Sequence, residues 1–139
     1  ALASGALANC HTLVLAENQI GDAGITALAQ AIKPVSEGGS GALAKCRELI
    51  LWDNQIGDAG ITALASACAS GALSQCTHLG LCSNKIGDTG ITALAQAIKP
   101  VSEGGSGAMA SLKQIFIDIE HMRHPGLVAA CQPRGIKIN

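Results

Sequence analysis

The 139-residue chain has almost no aromatic side chains: Trp52 and Phe116 are its whole complement, and there is no Tyr. Charge is also sparse, at 14% of residues, with nine Lys and Arg against ten Asp and Glu for a net charge of −1. Without a basic surplus, the electrostatic footprint expected of a nucleic-acid binder is missing. Long apolar runs are missing too. The longest stretch without formal charge, residues 59–84, is broken by Gln75, His78, Asn84 and many Ser, Thr and Gly, so it makes a poor membrane span. The first residues, Ala1-Leu2-Ala3-Ser4-Gly5, lack the basic region and apolar run of a signal peptide. What remains is 48% hydrophobic, built from Ala, Leu, Ile, Val and Cys, with 17 Gly. Side chains this small fill narrow, regularly repeated gaps, because interiors pack to crystal-like density, and the length suits a single domain.

The regularity is visible when the chain is aligned with itself. Gly24–Ala42 and Gly90–Ala108 are identical over all 19 residues. A shorter frame, L-x-L-x-x-N-x-I-G-D-x-G-I-T-A-L-A, recurs at Leu13–Ala29, Leu49–Ala65 and Leu79–Ala95, with steps of 36 and then 30 residues. Repeats of this period indicate a solenoid, here a single domain over 1–139 with units at about 5–40, 41–70, 71–106 and 107–139. Each unit opens with period two (Leu13 and Leu15, Leu49 and Leu51, Leu79 and Leu81, Ile115 and Ile117), which predicts a short strand. It continues with helical spacing: Ile25, Leu28, Ile32; then Ile61, Leu64, Cys68; then Ile91, Leu94, Ile98. Asp22, Asp58 and Asp88 stand where a carboxylate can accept from the free N–H groups of those helices. Pro34 and Pro100 stop two of them.

The frame C-x-x-L-x-L-x-x-N-x-I-G-D-x-G followed by A-L-A resembles the ribonuclease-inhibitor-like class of leucine-rich repeats. That resemblance implies a curved right-handed α/β solenoid, with a parallel sheet on the concave face and helices on the convex face. It also implies an internal ladder in which Asn18, Asn54 and Asn84 bond the backbone of adjacent turns, and a ligand-binding rather than enzymatic role. The fourth unit is degenerate: Glu120 stands in the ladder position, and Arg123-His124-Pro125 replaces the Gly-Asp pair and the next residue. This reads as a cap with a shortened helix and a last edge strand at Gly135–Asn139, Lys137 turned outward. Ala1–Leu7 matches Ala67–Leu73, so the chain reads as starting inside a repeat of a longer array.

Six cysteines invite a disulfide or zinc reading. Cys10, Cys46 and Cys76, however, share one frame position that Leu112 fills in the fourth unit, and Cys68 aligns with Ile32 and Ile98, so these are core sites. With Cys131 in the capping helix, they read as buried thiols in an intracellular, reducing setting. Cys82 projects beside His78, but four residues along a strand separate their backbones by about 13 Å, too far for a catalytic pair. No pair has structural zinc spacing, and Gly38-Gly39-Ser40-Gly41 lacks the phosphate-loop frame. No cofactor or metal is expected. His11, His121 and His124 read as solvated.

The two long copies test which positions drift. Between Ala1–Leu43 and Ala67–Met109 there are 11 mismatches, seven of them within residues 11–23, while the strand leucines, the Asn and the I-G-D turn are unchanged. The variable positions alternate with the leucines, so they point out of the sheet. They form a grid: Thr12, Val14, Ala16; Glu48, Ile50, Trp52; His78, Gly80, Cys82; Gln114, Phe116, Asp118. Both aromatics lie in it, and Gly80 is expected to leave a notch between Ile50 and Phe116. Aromatic anchors beside a notch are how interface hot spots are built. The expected function is therefore non-enzymatic protein binding through the concave face. The alternative is a scaffold piece permanently embedded in a larger assembly. The paired Lys33–Gly41 and Lys99–Gly107 segments read as exposed flexible spacers.

Overall fold

A computed structural model describes Leu7 and residues 9–139. Five strands form one parallel sheet in sequence order: β1 (Thr12–Val14), β2 (Glu48–Ile50), β3 (His78–Gly80), β4 (Gln114–Phe116) and β5 (Lys137–Ile138). Four helices alternate with them: α1 (Asp22–Ile32), α2 (Asp58–Ala69), α3 (Asp88–Ile98) and α4 (Pro125–Cys131). The register is the frame's own, pairing Leu13 with Leu49, Leu49 with Leu79, Leu79 with Ile115 and Ile115 with Ile138. Strands pack about 5 Å apart and helices about 8–10 Å, so the stack closes toward the sheet, which is the concave side. The similarity of Ala1–Leu7 to Ala67–Leu73 falls, Leu7 excepted, outside the described residues.

One core runs the length of the stack between sheet and helices. Leu49, Leu51, Ile61 and Leu64 from the second unit meet Leu79, Leu81, Ile91 and Leu94 from the third, all essentially fully buried. Cys46, Cys68, Cys76 and Cys131 are buried with them, while Cys10, in the first unit, is half-buried. Burial pushes the Cys68 and Cys76 thiols up to about 12, which keeps them protonated and unreactive. Each frame-position thiol donates to the carbonyl two residues on, Cys46 to Glu48 and Cys76 to His78.

The Asn ladder is present, and its strength is uneven. Asn54 Oδ1 accepts from the N–H groups of Asn18 (3.0 Å) and Ile20 (2.9 Å), and its Nδ2 donates to Leu15 (3.0 Å) and Leu51 (2.9 Å). Asn84 repeats the pattern on Ile56 and Leu51. The Asn18 side chain is exposed and, among the described residues, bonds only the Ala16 carbonyl.

The aspartates act differently from expectation. Each is the first residue of its helix, behind a Gly cap, and none bonds its own helix start. Asp22 Oδ1 instead accepts from Gly57 (2.7 Å) and Gly60 (2.9 Å) of the next unit, and Asp58 does the same for Gly87 and Gly90. These two carboxylates therefore cap the next unit's helix. The contact needs glycine, since a Cβ on Gly60 would lie 2.6 Å from Asp22 Oδ1. Stacking places the first N–H groups of the next helix within reach of the carboxylate, and single-helix capping rules do not include that geometry.

The spacer segments are also more ordered than expected. Each makes a 3₁₀ turn, Val35–Glu37 or Val101–Glu103. Gly41 N–H returns to Lys33 O and Gly107 N–H to Lys99 O, both at 2.8 Å, and Gln30 and Gln96 donate to Gly38 and Gly104.

In the fourth unit, side chains replace backbone links. Gln55 and Lys85 N–H groups bond the Ile20 and Ile56 carbonyls, but at the next step the His121 ring Nε2 reaches Ile86 O at 2.9 Å. His121 is therefore buried, 8% exposed, and not solvated. His124, at the frame's Asp position, contacts Asp88 Oδ1 at 2.8 Å through Nε2, and its Nδ1 accepts from Leu127 N–H to cap α4. It is half-buried, again unlike the expectation, because Asp88 has no glycine pair ahead of it and takes the imidazole instead. Arg134 adds a clasp: its guanidinium donates to Ile98 and Ala108 carbonyls at 2.7 Å and to Met109 O.

Candidate interface on the sheet face

The grid positions fall in register across the sheet. Thr12, Glu48, His78 and Gln114 form one row, and Val14, Ile50, Gly80 and Phe116 the next. Period two sends the leucines inward, so these side chains stand on the open face. Ala16, Trp52, Cys82 and Asp118 continue the grid where the strands end.

The aromatics meet there. Trp52 and Phe116 contact edge to face, with centroids 6.5 Å apart and planes at 88°, and His78 stacks on Phe116 at 6.4 Å. Trp52 remains 37% exposed and Val14, at the β1 edge, 58% exposed. His78 Nδ1 is anchored by the Thr77 hydroxyl at 2.8 Å, so the cluster is held from below.

The notch at Gly80 is not open. A Cβ there would lie 3.3 Å from both Ile50 Cδ1 and Trp52 Cε3, because these two side chains lean over the glycine and fill it. Gly80 and Ile50 are accordingly buried, and they support the cluster rather than line its surface. A larger side chain at this position should displace the indole. Gly80→Val is expected to move Trp52 emission to longer wavelength, read directly because this is the only Trp, with a net stability change of about 1 kcal/mol as strand propensity and crowding offset.

Other grid members have local duties. Asp118 Oδ1 accepts from Ser83 N–H at 2.8 Å, serving where earlier units use a backbone carbonyl (Glu17 N–H to Trp52 O, Asp53 N–H to Cys82 O). Cys82 is half-buried, and its thiol is pushed up by burial and then by the neighbouring Asp118 and Asp53 carboxylates. That environment disfavours a thiolate nucleophile. Glu48 is exposed, and Gln114 is half-buried beside it in the sheet row. Among the described residues no group of three His, Cys, Asp or Glu side chains could hold a metal ion. Among the described residues no helix is long and apolar enough to cross a membrane.

Sequence reasoning missed the fourth-unit links of His121, His124 and Arg134, and the cross-repeat role of Asp22 and Asp58. The signal for the second was present: G-D-x-G occurs three times with both glycines kept.

A leucine-rich repeat family model matches residues 10–29, 47–65 and 77–95. No curated protein matches the chain. Repeats of this kind generally mediate protein–protein interaction and are typically not enzymes. With three matched repeats stacked as one parallel sheet and a helix behind each strand, the chain is a leucine-rich-repeat α/β solenoid.

Proposed function

We propose that this chain is a non-enzymatic protein-binding module whose concave sheet face receives the partner, anchored on Trp52 and Phe116. The observation that carries this reading is the joined pair of rings on the open face of a chain that has no other Trp, Phe or Tyr. Rigid aromatics supply large contact area at low entropic cost, and they dominate interface energetics. Val14, His78, Glu48, Gln114, Cys82 and Asp118 surround the pair, and Ile50 and Gly80 support it from beneath. The repeats are of the ribonuclease-inhibitor-like class, supported by full helices of 11–12 residues behind the matched strands. An intracellular, reducing setting is supported by buried, hydrogen-bonded thiols at Cys46 and Cys76.

The test is quantitative co-purification from native extract, comparing the wild type with Trp52→Ala/Phe116→Ala and with Thr62→Glu on the exposed side of α2. Partners lost at least about tenfold with the aromatic variant and kept with the helix variant are the expected result, since hot-spot truncations cost 2 kcal/mol or more. Partners retained by the aromatic variant, or lost only with Thr62→Glu, overturn the reading.

A further inference from the structure

A second surface lies where the strands begin, beside the aromatic cluster and separate from it. A groove of about 510 Å³ is lined there by Arg47, Gln75, Thr77, Ser111, Lys113 and Arg134, and no carboxylate lines it. Three of the chain's nine Lys and Arg residues thus gather in one groove, although the chain as a whole carries a net charge of −1. Among the described residues neither Arg47 nor Lys113 is within ion-pair distance of a carboxylate; the pairs found involve only His121 and His124. Arg134 is fixed in place by its three carbonyl acceptors, which occupy three of its five donors and leave two N–H groups. Its side chain is therefore preorganised, and an incoming anion would not have to immobilise it.

The layout indicates the class of ligand. Arg47 N–H and Thr77 N–H bond the preceding units, and Lys113 N–H bonds Thr77 O, so Arg47, Thr77 and Lys113 occupy one position in three successive turns. Two strand steps separate the Arg47 and Lys113 backbones by about 10 Å. Charge spread along a groove at that spacing matches several carboxylates along an extended chain better than one compact phosphate, which needs converging donors.

We infer that this groove binds an acidic segment of a partner protein, its carboxylates distributed over Arg47, Lys113 and Arg134. The surface is independent of the aromatic anchors, and it holds or fails without them.

The probe is a fluorescein-labelled octaglutamate peptide, followed by anisotropy at low ionic strength and again near 0.15 M salt. Wild type and Trp52→Ala/Phe116→Ala should bind it alike. Arg47→Glu/Lys113→Glu should weaken binding by about tenfold or more, since two favourable charge contacts become repulsive. Lys85→Glu/Arg123→Glu imposes the same charge change at exposed positions outside the groove, and should change affinity by less than about threefold. Equal losses in the two charge-reversed variants would show bulk attraction rather than a groove and overturn the inference. So would absence of binding by the wild type. Displacement of the peptide by millimolar inorganic phosphate would reassign the groove to phosphate groups and contradict the acidic-segment reading.

Discussion

Asn54→Ala is expected to destabilise the fold by about 3–5 kcal/mol, the largest effect of any single polar substitution in the chain. The side chain is 7% exposed and bonds two N–H groups and three carbonyls. Truncation removes the side-chain partner of Asn18 N–H, Ile20 N–H and Leu15 O in a part-buried seam, each group left unmet there costing about 1–3 kcal/mol. Leu51 O keeps Asn84 as a donor, so the sum is smaller than five separate losses. Against a domain stability of about 5–15 kcal/mol, this brings the second unit close to unfolding. Asn18→Ala is the internal control. Its side chain is exposed and, among the described residues, holds only Ala16 O, so its cost should stay within about 0.5 kcal/mol. Urea unfolding checks both, through a midpoint that falls for Asn54→Ala at constant slope and barely moves for Asn18→Ala.

Arg134→Ala is expected to cost about 2–3 kcal/mol and to loosen the last unit first. A charged donor to a carbonyl contributes about 1.5–3 kcal/mol when buried, discounted here because the guanidinium is only half-buried. The carbonyls are those of Ile98 at the end of α3 and of Ala108 and Met109 beyond the spacer that follows, so the clasp ties the turn after α4 to the third unit and to the start of the fourth. Arg134→Lys should recover less than half of the loss, because one ammonium cannot match the planar fork. Amide hydrogen exchange is the direct readout: α4 and β5 should lose protection while α1 and α2 keep theirs.

These two residues mark the limits of what the sequence shows. Asn54 was legible because its partners are the repeat's own backbone, so a period and a buried amide suffice to infer the ladder. The strand register and helix faces followed from the same period. Arg134 was not legible, because its acceptors lie 25–36 residues away in sequence and occur only once. The same holds for Asp22 and Asp58: propensity rules consider one helix, whereas stacking offers each carboxylate the next helix's N–H groups. On the sheet face, period two identified which side chains stand out. It could not show that Ile50 and Trp52 fold over Gly80, since that depends on side-chain rotamers and ring size. The open notch read from a missing side chain is in fact a filled one, and the face carries an aromatic cluster there instead.

That cluster is the centre of the functional reading, and amide exchange on the complex with a partner recovered by co-purification tests it most directly. Protection gained along Thr12–Val14, Glu48–Ile50, His78–Gly80 and Gln114–Phe116, with α1, α2 and α3 unchanged, is the result expected of a partner seated on the sheet face. Protection gained on the helices, with the strands and the Trp52–Phe116 pair unaffected, would contradict it.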